Sequence, residues 1–138
     1  MKKIICSFLL ISGLFHYHIL FAQLPKPYKG KIFRHENFLS AHVNARNVDV
    51  WLPENYSPKK KYAVLYMQDG QMLFDSSNTW NKQEWGVDET LSRLMMDNTI
   101  EDCIVVGIWN GGAQRHVEYF PQKPFESMNA AEKQSVYN

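Results

Sequence analysis

The chain has 138 residues with a formal net charge of +1, and 45% of its residues are hydrophobic against 21% charged. That composition excludes a disordered or low-complexity chain and fits one compact domain. Near-neutral charge gives no electrostatic footprint for nucleic acid or an anionic membrane surface, so neither is expected as a partner.

The first segment reads as a signal peptide over residues 1–22. Lys2 and Lys3 form a positive start, residues 4–21 are dominated by Ile, Leu, Phe and Cys with no acid or base apart from His16 and His18, and Ala22 supplies a small residue before Gln23. The expected location is secreted or periplasmic, with no stable membrane anchor once the segment is cleaved. Retention as an anchor is the competing reading, because the apolar run approaches the roughly 20 residues that a span needs. Of the two cysteines, Cys6 falls in this segment and Cys103 in the remainder. A lone cysteine at the edge of an apolar run is expected to be a small buried hydrophobe.

Residues 23–30 carry Pro25 and Pro27 and are expected to run extended. A strand is expected over 31–38 and a connection over 39–45. Asn47-Val48-Asp49-Val50-Trp51-Leu52 alternates polar and apolar, which predicts a half-buried strand ended by Pro53. These two strands are expected to pair antiparallel. Residues 62–67 form a continuous apolar run, expected to be a strand covered on both faces. Asp69-Gly70 then turns the chain, and residues 71–82 form a loop.

A helix is predicted from residue 83 or 84 to about 97, because Val87, Leu91, Leu94 and Met95 recur on one helical face. Residues 103–109 form the next apolar strand. The span 62–109 is thus one parallel βαβ unit behind antiparallel entrance strands, an α/β fold. Sheets of this kind carry function at the carboxyl ends of their strands, here Gln68–Met72 and Asn110–Arg115. After residue 112 only a polar stretch is expected.

A set of motifs carries a resemblance. Val48-Asp49-Val50-Trp51-Leu52-Pro53 is followed by Val64-Leu65-Tyr66-Met67-Gln68-Asp69-Gly70-Gln71. Then come Val105-Val106-Gly107-Ile108-Trp109-Asn110-Gly111-Gly112, Arg115, Glu118-Tyr119 and Pro121. In order and spacing the set resembles the esterase D-like putative esterase family of α/β-hydrolases, which includes enterochelin and feruloyl esterases. The resemblance covers roughly residues 30–125. It implies a partial esterase domain over 23–138 that holds the N-terminal half of an α/β-hydrolase sheet. The implied reaction is serine-type hydrolysis of a small carboxylic ester, carried on carbohydrate or siderophore. No cofactor and no metal are implied.

The family's catalysis uses a serine on a Gly-x-Ser-x-Gly elbow, then an acid, then a histidine. No such elbow occurs in residues 1–138, and none of His35, His42 and His116 follows a nucleophile. The expectation is a chain truncated relative to the family pattern and inactive by itself, with no catalytic residue of the triad. The alternatives are a non-catalytic hydrolase-like carbohydrate-binding module and a gene fragment. The loop after the third strand of the family supplies one oxyanion donor, which maps to Gly70 and Gln71; an ordinary Asp-Gly turn is the plainer account. Asp69, Trp80, Arg115, Glu118 and Tyr119 are candidate substrate-binding residues. Against that, Arg115 and Glu118 could simply brace one another at i, i+3, and Trp85 and Trp109 could be packing residues.

Overall fold

The computed structural model describes residues 23–137. The segment 1–22, expected to be a signal peptide, lies outside the described residues. Residues 23–30 run without regular structure, as the two prolines require. Strand β1 spans Lys31–Phe38 and β2 spans Arg46–Leu52. They pair antiparallel, with Phe33 opposite Val50 and a register shift between His35 and Phe38. Strand β3 spans Ala63–Met67, helix α1 spans Val87–Met96 and β4 spans Cys103–Ile108.

β3 and β4 are parallel neighbours joined through α1, and the sheet order is β1-β2-β4-β3. β4 is therefore the join, parallel to β3 and antiparallel to β2. This is the predicted α/β arrangement of antiparallel entrance strands and one βαβ unit.

The alternation in β2 sends Trp51 and Asp49 to one face and Val48 and Val50 to the other. The first face is the buried one. Trp51, Leu73, Phe74, Val87 and Val105 form its core, with Leu91 and Met95 of α1 packed on it. Cys103 is buried and free. On the opposite face, Val48, Val50, Tyr66, Val106 and Ile108 line an open apolar hollow of about 460 Å³.

Two expectations need correction. β3 is not covered on both faces: Val64, Leu65 and Tyr66 are 45%, 41% and 69% exposed. Its apolar run reads like a central strand, but the sheet order places it at an edge. Helix α1 begins at Val87 rather than at 83 or 84, because Gly86 takes a left-handed conformation, φ 59°, that breaks helical winding before it.

Residues 115–136, read as a polar stretch, carry three short helices: α2 (Arg115–Tyr119), α3 (Gln122–Ser127) and α4 (Ala130–Val136). The last starts with a capping box, in which Asn129 and Glu132 satisfy each other's backbone N–H groups. Among the described residues no helix is long and apolar enough to cross a membrane.

Candidate active site

The two segments at the carboxyl ends of β3 and β4 meet at one carboxylate. β3 ends at Met67, and two residues later Asp69 turns the chain with φ 54°, a left-handed conformation that non-glycine residues seldom adopt. Its backbone carbonyl accepts from the Met72 N–H at 2.8 Å, closing a 3₁₀ turn over Gly70–Met72. The residue is buried, 5% exposed. Asn110 Nδ2 donates to that carboxylate at 2.6 Å, and Arg115 donates through Nε at 2.8 Å and Nη2 at 2.7 Å. The Tyr119 hydroxyl adds a longer bond of 3.3 Å.

Paired, charge-assisted bonds of this kind favour the ionised carboxylate. The Arg115 guanidinium, and then the Asn110 amide, hold the Asp69 carboxyl below the usual carboxylate range despite its burial. Arg115 also lies over the Tyr119 ring, 4.9 Å from its centroid. Burial and the Asp69 charge push the Tyr119 hydroxyl up.

Gly70 is glycine for a reason visible only in the fold. A Cβ there would lie 2.6 Å from both the carbonyl carbon and the oxygen of Gly107 in β4, and 2.9 Å from Trp109 Cδ1. The turn rests directly on the backbone of the neighbouring strand. A further bond ties the two segments, since Asn110 N–H donates to Gln71 Oε1 at 3.2 Å. The Asp69 side chain makes no cap bond to the turn. The leading N–H groups of such a turn have no acceptor within it.

The loop after the turn folds back along it. Trp85 N–H donates to Met72 O at 2.9 Å and Val87 N–H to Leu73 O at 3.2 Å, while Leu73 and Phe74 are buried as anchors. Trp80 and Trp85 stay 86% and 53% exposed. With Gln71, Met72, Asn110 and Arg115 they line an open cleft of about 530 Å³.

Of the residues singled out in the sequence, Asp69, Gln71, Trp80 and Arg115 therefore share one cleft. Tyr119 reaches it through Asp69. Gly70 lies beneath, against β4. Glu118 is placed elsewhere: its carboxylate takes Arg46 Nη1 at 2.9 Å and Nη2 at 2.8 Å and lines a second hollow with Arg46, Asn47 and Trp109. Arg115 and Glu118 thus bind different partners and not each other. Trp109 packs under the Arg34 guanidinium at 4.5 Å and donates to Asp49 Oδ2 at 2.9 Å. His35, His42 and His116 are exposed, and none lines the cleft. Among the described residues no group of His, Cys, Asp or Glu is arranged to hold a metal ion.

Sequence reasoning missed three features of this region. Asn110 was read only as part of a loop, although an Asn beside two glycines is a turn signal. Asp49 enters the sequence only as a polar position in the alternation of a half-buried strand. Arg34 was not singled out at all. Asp49 is fully buried and takes Arg34 Nε at 2.7 Å and Nη2 at 2.8 Å. No signal in a single sequence pairs residues 34 and 49 before the register of β1 on β2 is known.

Comparison with known proteins gives three findings. The family model described as "Esterase: Putative esterase" matches residues 40–138. No curated protein matches. Among solved structures, the chain is similar to a serine-to-alanine mutant of the feruloyl esterase module from Clostridium thermocellum complexed with sinapinate, at 25% identity and a TM-score of 0.42. That similarity covers 61% of this chain and 28% of the other. A second structure, described as FAE, is 24% identical with a TM-score of 0.42 and is matched over 74% of this chain and 36% of its own length. The chain thus spans about a third or less of the solved chains it matches. The family match, running from the connection before β2 to the last residue, means that this chain belongs to the esterase family.

Proposed function

We propose that the chain is the oxyanion-donating part of a secreted serine-type carboxylic-ester hydrolase, and that residues 1–138 by themselves do not turn over. The observation that carries this reading is the 3₁₀ turn at the end of β3. Its leading N–H groups have no acceptor within the turn, and Gln71 lines the cleft while Gly70 lies under it. A tetrahedral oxyanion needs preorganised donors at a fixed position. The Gly70–Gly107 contact and the Asp69 bonds supply that fixity, and the Gln71 N–H is the donor on the cleft side. Trp80, Trp85 and Arg115 form the wall against which the acyl part of a small ester would lie, the indoles by stacking and the guanidinium by charge. The apolar run over 4–21 behind Lys2 and Lys3 supports export.

The reading that residues 1–138 are inactive is supported by chemistry. No serine lies on an elbow in this sequence and, among the described residues, no histidine lines the cleft, which supports a chain without its own nucleophile and base. Purified 1–138 is expected to hydrolyse p-nitrophenyl acetate no faster than buffer; turnover sensitive to a serine inhibitor would refute this. In any longer product of the reading frame that carries the elbow and a following histidine, Gln71→Pro deletes the donor N–H. Its kcat should fall roughly a hundred- to a thousandfold. Gln71→Met keeps the N–H and separates that loss from the loss of the Oε1 contact. A Gln71→Pro enzyme with unchanged kcat would sink the assignment.

A second reading rests on Trp80. An indole 86% exposed beside a polar cleft would also stack on a sugar ring, as in a non-catalytic carbohydrate-binding module. Quenching of tryptophan fluorescence by an oligosaccharide, lost in Trp80→Ala, would favour that reading.

A further inference from the structure

The lead-in segment is tied down by two carboxylates, half-buried Asp75 and buried Asp88. Lys26 N–H donates to Asp75 Oδ2 at 2.8 Å. Tyr28 N–H donates to Asp88 Oδ2 at 2.6 Å and Lys29 N–H to the same oxygen at 3.3 Å. Asp75 caps a short turn in the loop that carries Trp80, through the Ser77 N–H at 2.8 Å. Asp88 is the second residue of α1, two residues after Gly86. Residues 26–29 therefore bridge both ends of the loop that forms the aromatic wall of the cleft.

Asp88 is the chemical anomaly of this bridge. It is fully buried, and its second oxygen, Oδ1, meets no donor. Glu89 Oε2 and Glu84 Oε2 are also buried without a partner. Asp88 and Glu89 are adjacent in the first turn of α1, each buries an unpartnered oxygen, and Glu89 raises the Asp88 carboxyl. Two ionised carboxylates cannot bond; one proton between them makes the contact favourable. Glu84 in the loop before α1 and Asp75 beyond it add negative charge, with Lys26 facing Asp75, and the titratable Tyr28 and Lys29 meet Asp88 through their N–H groups, the Lys29 bond favouring its ionised form. The first helical turn favours an ionised acid. Here burial, and then Glu89, outweigh it and push the Asp88 carboxyl up to about 6.

We propose that residues 26–29 are a proton-sensitive strap, which closes on the loop 75–88 when Asp88 and Glu89 share one proton and loosens when both ionise. The direction follows from linkage. The closed strap buries Asp88 and holds its proton more tightly than an ordinary aspartate does, so closure is favoured in acid and weakens as pH rises through about 6. Opening lets water reach the two carboxylates and relieves their repulsion. The strap stands whether or not the cleft takes an ester. Only its consequence, an aromatic wall set by pH, rests on the proposed reading of the cleft.

Hydrogen exchange on the full chain tests it without any substrate. Exchange rates for peptides covering residues 24–30 and 76–86, each divided by the intrinsic rate at that pH, are compared between about pH 5 and about pH 8. Protection of both is expected to fall roughly tenfold or more across that interval. Asp88→Asn is neutral throughout and should abolish the pH dependence. Glu89→Gln should keep the strap closed at the higher pH, because its amide can donate to ionised Asp88. If Asp88→Asn fails to fold, Glu89→Gln decides. Flat protection in the wild type, or a wild-type pH dependence in either folded variant, overturns the strap. Loss of protection in 24–30 with none in 76–86 overturns its link to the aromatic wall.

Discussion

Gly70→Ala puts the closest contact of the candidate site to the test. The added Cβ would lie 2.6 Å from two backbone atoms of Gly107, where ordinary contact begins near 3.4 Å. Neither neighbour is a side chain that can swing away. The turn must lift from β4 by close to an ångström, and overpacking of this kind costs about 1–3 kcal/mol. The lift also acts on the bonds across the same gap. Asn110 reaches Asp69 at 2.6 Å and Gln71 at 3.2 Å, and the second has no length to spare. Losing one such bond adds about 1 kcal/mol. The expected total is about 2–4 kcal/mol, a large part of the stability of a small domain.

Gly112→Ala is the matched control. Gly112 has φ 61°, so the substitution carries left-handed strain, yet nothing lies within 4 Å of the new Cβ. Its cost should be about 1–2 kcal/mol from backbone strain alone. Urea unfolding followed by tryptophan fluorescence gives both values from the midpoints and slopes. Gly70→Ala must be clearly the worse. If the two variants lose the same stability, the turn does not rest on β4 and the account of the donor's fixity fails with it.

Three further outcomes are expected. Asp49→Ala should cost about 3–5 kcal/mol by removing the carboxylate from nearly buried Arg34, whereas the double change to Leu at 34 and 49 should cost clearly less, chiefly for the Trp109 N–H left without its acceptor; equal losses in the two urea curves would refute the pairing. Asp69 has a folded pKa below its ordinary 3.8, so the stability it contributes is present above that value and is lost as pH falls through the lower folded value. Asp69→Asn should therefore flatten the acid limb of a melting-temperature curve, and an unchanged acid limb would count against the Arg115 contact. Tyr66→Lys on the exposed edge strand should raise solubility, measured as monomer fraction in light scattering, because charge on an edge blocks strand addition; no change in that fraction would show that the edge is not the sticking surface.

What the sequence disclosed follows the range of the physics behind each element. Strand β2 and the helical face of Val87, Leu91 and Met95 are local, and both survive in the fold, although the buried face of β2 is the one that carries Asp49 with Trp51. The apolar run of β3 is local too, but its burial depends on which strand lies beside it, and a sequence does not give sheet order. Gly70 was legible as a turn residue and illegible as a contact, because the atom it avoids belongs to Gly107. The same limit hid the partners of Asp69, Asp49 and Glu118, which lie 15 to 72 residues away in the chain. The short helices at 115–136 have five to seven residues each, too few for periodicity to declare itself. Asn129 and Glu132 at capping-box spacing were the one local signal available there.

The site depends on polar nodes because the apolar core does not extend to it. Trp51, Leu73, Phe74, Val87 and Val105 pack one face of the sheet and hold the root of the loop after β3. Beyond that root, position is set by carboxylates. Asp69 joins the turn to the β4 exit, Asp49 joins β1 and β2 to Trp109, and Asp88 joins the lead-in to α1. An apolar contact tolerates sliding, whereas a buried carboxylate with several donors has one geometry that satisfies it. A donor N–H aimed at an oxyanion needs that kind of fixity. Of the three nodes, Asp69 has its charge matched by a guanidinium and Asp49 likewise, but Asp88 has only N–H groups and another acid. The cation-paired node at Asp69 loses its hold in acid, whereas the node without a cation is the one whose hold weakens as pH rises.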